Sequence, residues 1–175
     1  MAPREAAPED FLSLNLPPLI NIDAGDLMDI VIGIGNPVLR DDSVGIKVAR
    51  QFEGLVDVEI LMATDFKVLD KLLGYERAII VDGVRLGNEP GTVLEFGAED
   101  LFFTATFSGT HNLSLPTTLK IGYELFGAEM PKEIKIIAVE IEDATNFGRE
   151  CTPAVAAAIP KAVERVRHWL EGTNT

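Results

Sequence analysis

Apolar residues run along this chain in two alternating patterns: short unbroken runs, and longer stretches in which they recur every three to four positions. That alternation predicts buried strands interleaved with amphipathic helices. Ile30 to Ile34 is the first strand; Gly33 and Gly35 turn the chain off it, and Asn36-Pro37 continues the turn. Val44, Val48, Ala49 and Phe52 then line one face of a helix. Val56 to Met62 alternates apolar and acidic residues, as a half-exposed strand near a sheet edge does. Phe66 to Leu73 predicts a short helix with Phe66, Leu69, Leu72 and Leu73 on one side, stopped by Gly74. Ala78 to Val81 reads as a central strand covered on both faces and ending on Asp82.

Only the eight residues from Gly83 to Pro90 precede the next strand, Thr92 to Phe96. A parallel crossover needs about a dozen or more, so that strand is expected to run antiparallel to its neighbour. Leu115, Leu119, Gly122, Leu125 and Phe126 mark a helix that tolerates Pro116 in its first turn. Ile134 to Val139 is another buried strand, followed by Glu140, Glu142 and Asp143. Thr152-Pro153 opens a closing helix as N-cap and first helical residue, with Val155, Ile159, Ala162, Val163, Val166 and Leu170 inward and Pro160 expected to kink it. The sum is an α/β fold: a three-layer sandwich with a five-stranded, mostly parallel sheet and helices on both faces. Residues 1–28, with Pro3, Pro8, Pro17 and Pro18, read as an N-terminal arm, and 29–175 as a single domain.

Charge narrows the partners. A net charge of −13 repels phosphate backbones and anionic lipid surfaces, so neither nucleic acid nor membrane is expected, and a cation or a basic protein segment is favoured. The single cysteine, Cys151, allows no intrachain disulfide and fits a reducing cytoplasm. Acids and prolines occupy the N-terminus where a signal peptide would be apolar. Leu101 to Leu119 carries no charged residue, but its five Thr, two Ser, Asn112, Pro116 and His111 make it too polar to span a bilayer. The protein reads as soluble and cytoplasmic.

Three residues stand out as candidate chemistry: Asp42, Asp82 and His111. Asp41-Asp42 falls between a strand end and a helix start, at the carboxyl edge where open α/β sheets bind ligands, and Asp82 repeats that placement. His111 lies in a long polar loop that can fold back over the same edge. Two carboxylates and an imidazole suit a borderline divalent ion such as zinc or nickel, with positions left open for water or substrate. Each also has a plainer role: Asp41 or Asp42 as a helix cap, Asp82 as a turn former, His111 as a surface loop residue. Nucleotide binding is disfavoured, because the fingerprint's third glycine falls at Val38 and the acids oppose a phosphate. His168 reads as a surface residue in the closing helix, and Cys151, with no base beside it in sequence, as structural.

The segments GIGNPVLRDDSVG (Gly33 to Gly45), IIVDGV (Ile79 to Val84) and THNLSL (Thr110 to Leu115) resemble, in order and spacing, those of the nickel–iron hydrogenase maturation endopeptidases. The motif G-x-G-N-x-x-x-x-D-[DE]-x-x-G is met in full, and the resemblance covers about residues 29 to 171. It implies removal of a C-terminal peptide from a hydrogenase large-subunit precursor once nickel has been inserted. By position it assigns the family's metal-binding acids to Asp42 and Asp82 and its histidine to His111, which are also the residues expected to carry catalysis. The nickel would arrive with the substrate; zinc or cadmium would be expected to substitute for it in a crystal. The sequence departs from the pattern at Met62-Ala63-Thr64-Asp65, where many relatives carry a glycine-rich turn, and in the length of its N-terminal arm. The tail IEDATNFGRECTPAV looks most like members serving deazaflavin (F420)-reducing hydrogenases. There are two rival functions: a non-enzymatic nickel chaperone or maturation checkpoint using the same three residues, and a metal-independent hydrolase in which Asp42 and Asp82 share a proton and His111 is dispensable. Among the acids, Glu140, Glu142 and Asp143 are expected on a solvated sheet edge, and Lys47 on the surface.

Overall fold

Strands β1 (Asp29–Ile34), β2 (Asp57–Leu61), β3 (Arg77–Val84), β4 (Val93–Gly97) and β5 (Glu133–Glu140) form one sheet in the order β2-β1-β3-β5-β4. This computed structural model describes residues 28–102 and 114–172. β1, β2, β3 and β5 are parallel, and β4 alone is antiparallel, pairing with β5 from Val93↔Val139 to Gly97↔Lys135. The short connection after β3 therefore has the consequence expected of it. The N-terminal arm lies outside the described residues except for Met28, whose carbonyl accepts the N–H groups of Glu76 and Arg77.

Side-chain alternation along the strands builds two cores. Val31, Ile79, Val81, Ile137 and Val139 face α1 (Val44–Ala49) and, among the later elements, a long helix at Pro153–Glu171. Ile30, Ile32, Ala78, Ile80, Ile134 and Ile136 face α2 (Lys67–Leu72) and a helix at Leu115–Phe126. With the short α3 (Ala98–Phe102), those two become α4 (Leu115–Phe126) and α5 (Pro153–Glu171), and the arrangement is the expected three-layer sandwich. Val44, Val48, Ala49 and Phe52 are fully buried, as their spacing requires. Phe66 and Leu125 are not: both point to solvent, Phe66 because α2 begins one residue after it. α5 runs through the exposed Pro160 without a break. Among the described residues, no helix is long and apolar enough to cross a membrane.

Glycines bring α1 down onto the strand ends. Gly33 lies inside β1 and does not make the turn; a β-carbon there would meet Ala49 Cβ and the Gly45 carbonyl, each at 2.7 Å. A β-carbon at Gly45 would strike the carbonyl oxygens of Ile34 and Val81, the backbones of two neighbouring strands. Gly45→Ala is expected to cost about 1–3 kcal/mol, since backbone cannot move aside as a flexible side chain can. A urea midpoint equal to that of the wild type, at unchanged slope, would contradict this account of the helix–sheet contact.

Candidate active site

The loop from Gly35 to Ser43 holds Asp42 by its backbone. Gly35 turns the chain at φ +148°, and its α-carbon lies so close to the Asp42 carbonyl that no β-carbon fits between them. The next N–H, of Asn36, donates to Asp42 Oδ2 at 2.8 Å, while Asn36 Oδ1 accepts from Val38 N–H at 3.1 Å. A single helical turn of the tighter 3₁₀ type, Asp41–Ser43, then leads into α1, braced by Ser43 Oγ donating to the Arg40 carbonyl at 2.7 Å. Gly35 and Asn36 of the motif thus serve to place one carboxylate.

Asp82 comes from β3, opposite Ala138 of β5 and two residues before the strand ends at Val84. It is not a turn former, and the strand does not end on it. Strand alternation puts it on the face opposite Val81, toward α4. Asp82 keeps some surface, but its carboxyl sits deep enough that burial, followed by the charge of Asp42, pushes its pKa up to about 8; a hydrogen bond from the Gly83 backbone offsets part of this. Asp42 is raised as well, by burial, and lowered in part by the Asn36 N–H and the nearby Arg85 guanidinium. Arg85 is steered there by donating to the Glu142 carbonyl at 3.1 Å. Two carboxylates whose ionisation is opposed by burial, and in Asp82 also by the charge of Asp42, form an oxygen-donor pair suited to a divalent cation.

His111 lies outside the described residues, and among the described ones no group of three or more His, Cys, Asp or Glu is arranged to hold a metal. Description resumes at Ser114, which caps α4 through its side chain. Because α4 leads back to a parallel strand, its N-terminus sits at the carboxyl edge, where Thr118 Oγ1 donates to the Thr64 carbonyl at 2.7 Å. Ser114 is three residues after His111.

The two adjacent acids have separate jobs. Asp41 is fully buried and caps no helix of its own; it accepts from Thr152 N–H (2.6 Å), Thr152 Oγ1 (2.9 Å), Asp143 N–H (2.8 Å) and Glu142 N–H (3.1 Å). It therefore ties the loop after β5, and the start of α5, to the turn that carries Asp42. The expected solvated edge is largely absent. Glu140 is buried and receives Leu86 N–H, Gly87 N–H and the Asn88 side chain, fixing the loop after β3. Asp143 is held at a pKa of about 2 by hydrogen bonds from Asn146 and Thr145, and only Glu142 is exposed. Lys47 is no plain surface residue either, since its Nζ donates to the Arg149 carbonyl and lies 3.5 Å from the buried Cys151 Sγ. Sequence reasoning missed Arg85 and the latches at Asp41 and Glu140; an acid directly after a buried strand was the only local signal for the last.

Known proteins resemble this chain in sequence and in fold. A family model described as hydrogenase maturation protease matches residues 50–169. The hydrogenase 2 maturation protease of Escherichia coli is 31% identical over 146 residues, covering 78% of this chain and 87% of the relative. Protein FrxA of Pyrococcus furiosus is 33% identical over 131 residues, covering 73% and 94%. Among solved structures, the E. coli hydrogenase maturating endopeptidase HybD superimposes with a TM-score of 0.69 at 26% identity, covering 85% of this chain and 94% of that one.

Proposed function

The chain belongs to the hydrogenase maturation protease family, and we propose that within it this endopeptidase removes the C-terminal extension of a nickel–iron hydrogenase large-subunit precursor by docking onto nickel already held in that substrate. The observation that carries the docking is the pair Asp42 and Asp82, two carboxylates gathered at one edge, both disfavoured as anions by burial, with Asp42's charge further disfavouring that of Asp82. A divalent ion brought by the substrate relieves that opposition; a nickel-free precursor offers nothing to relieve it. Zinc or cadmium, with the same charge, would occupy the position in a crystal. His111 completes the donor set in this reading, and three residues of extended chain span only about 10 Å from Ser114.

Nickel in the substrate supplies electrophilic polarisation of the scissile carbonyl. The chain's own residues do the rest. The Asn36 N–H fixes the direction of Asp42, β3 fixes Asp82, and Arg85 holds a positive charge beside Asp42 that favours its ionised form. With no ion bound, the raised pKa of Asp82 keeps a proton on the pair, and binding of the ion displaces it. The same shared-proton arrangement favours a second reading, a hydrolase that needs no metal. Incubating the protein with nickel-loaded and nickel-free precursor and weighing the products separates them. Loss of a C-terminal peptide only from the loaded form is the expected result. Equal cleavage of both forms would favour the metal-independent hydrolase, and binding without cleavage the chaperone.

A further inference from the structure

Among the described residues, seven large apolar side chains are exposed, and four of them, Val38 (54%), Met62 (66%), Phe66 (51%) and Phe147 (81%), belong to loops at the carboxyl edge around Asp42 and Asp82. Phe147 is the most exposed, and the backbone beneath it is built rather than loose. Gly148 N–H donates to the Val38 carbonyl and Arg40 N–H to the Asn146 carbonyl, both at 3.1 Å, so that Leu39 faces Phe147 across a short antiparallel ribbon. Asp143 Oδ1 accepts the Thr145 and Asn146 N–H groups, and Asp143 is paired in turn with Arg40 at 3.5 Å. Asp41 anchors the root of the same loop next to Asp42.

Between the two ribbon hydrogen bonds, the N–H and C=O of Phe147 point away from Leu39, and neither has a partner among the described residues. A braced, unpaired strand edge crowned by an exposed aromatic ring has the form of a β-augmentation site. We propose that residues 146–148 bind an extended segment of the precursor polypeptide as an added strand, with Phe147 packing on an apolar side chain of that segment. The occupant follows from continuity: this edge leads directly to the two carboxylates, and an unpaired peptide edge matches an extended chain better than a folded surface. This inference rests on the endopeptidase reading.

The test is steady-state processing of nickel-loaded precursor by the full chain and by Phe147→Ser and Phe147→Leu, with precursor binding measured separately by calorimetry. Phe147→Ser should raise KM and weaken binding by about ten- to a hundredfold, the range for losing a buried aromatic side chain. Its kcat and melting temperature should stay at wild-type values, and Phe147→Leu should restore most of the affinity. Unchanged KM and binding in Phe147→Ser would overturn the proposal, as would a dimer of this chain that dissociates on that substitution while KM stays put. A wild-type chain that binds precursor without cutting it, and loses binding in Phe147→Ser, would refute the endopeptidase reading and leave the docking edge standing.

Discussion

Asp42→Asn and His111→Ala should each reduce processing of nickel-loaded precursor by about a thousandfold or more. Electrophilic stabilisation by a metal is worth several kcal/mol, and about 1.4 kcal/mol corresponds to each tenfold in rate. The Asn substitution is nearly isosteric and keeps an oxygen to accept the Asn36 N–H, so the loop should persist while the charge is lost. His111→Ala is the sharper of the two, because a metal-independent pair sharing a proton would survive it. Lys161→Ala, on the exposed side of α5, is the control to run; Lys47 is unsuitable because its Nζ binds the Arg149 carbonyl. Stability should move the other way. Asp82 is raised to about 8, so any stability linked to its protonated form is complete at acid pH and is lost as pH rises through the folded value. With a chelator present, Asp82→Asn should therefore melt above the wild type by a margin that grows between about pH 4 and pH 8. Full processing by His111→Ala, or an Asp82→Asn variant no more stable than wild type at pH 8, would defeat this assignment.

Much of the architecture was legible because it depends on local pattern. Ala78 to Val81 could only be a strand covered on both faces, and the short connection after Asp82 excluded a parallel crossover to Thr92. What could not be read is what distant segments do to one another. Nothing local distinguishes Asp41 from Asp42; the difference arises because the loop at 142–152, a hundred residues away, offers its donors to Asp41 alone. Gly33 looked like a turn residue and is a contact residue, since its need for space comes from Gly45 and Ala49 on α1. Glu140 and Lys47 carry charges that normally stay in water, yet each finds backbone partners on a loop far away in sequence. The family resemblance assigned the candidate acids by position, while their electrostatics required the sheet register that brings β1 and β3 together.

Asp41→Asn should lower stability by about 3 kcal/mol, although the same change one residue later should cost little. Asp41 accepts four hydrogen bonds on two oxygens, three of them from backbone N–H groups that cannot reverse. Asparagine offers one acceptor oxygen and puts an amide N–H₂ against donors, leaving at least one buried N–H unmet at about 1–3 kcal/mol and weakening the start of α5 by about 1 kcal/mol more. Of the groups that donate to Asp41, the Thr152 N–H is the most exposed to this loss, because it alone pairs with Oδ1. The loop bearing Phe147 and the turn bearing Asp42 would then part company, so precursor binding should weaken along with stability. Urea unfolding of Asp41→Asn and Asp42→Asn side by side tests the contrast: a lower midpoint is expected only in the first, with the slope unchanged. Equal midpoints would mean that the two acids share one role and that the hydrogen bonds gathered on Asp41 do not hold the edge together.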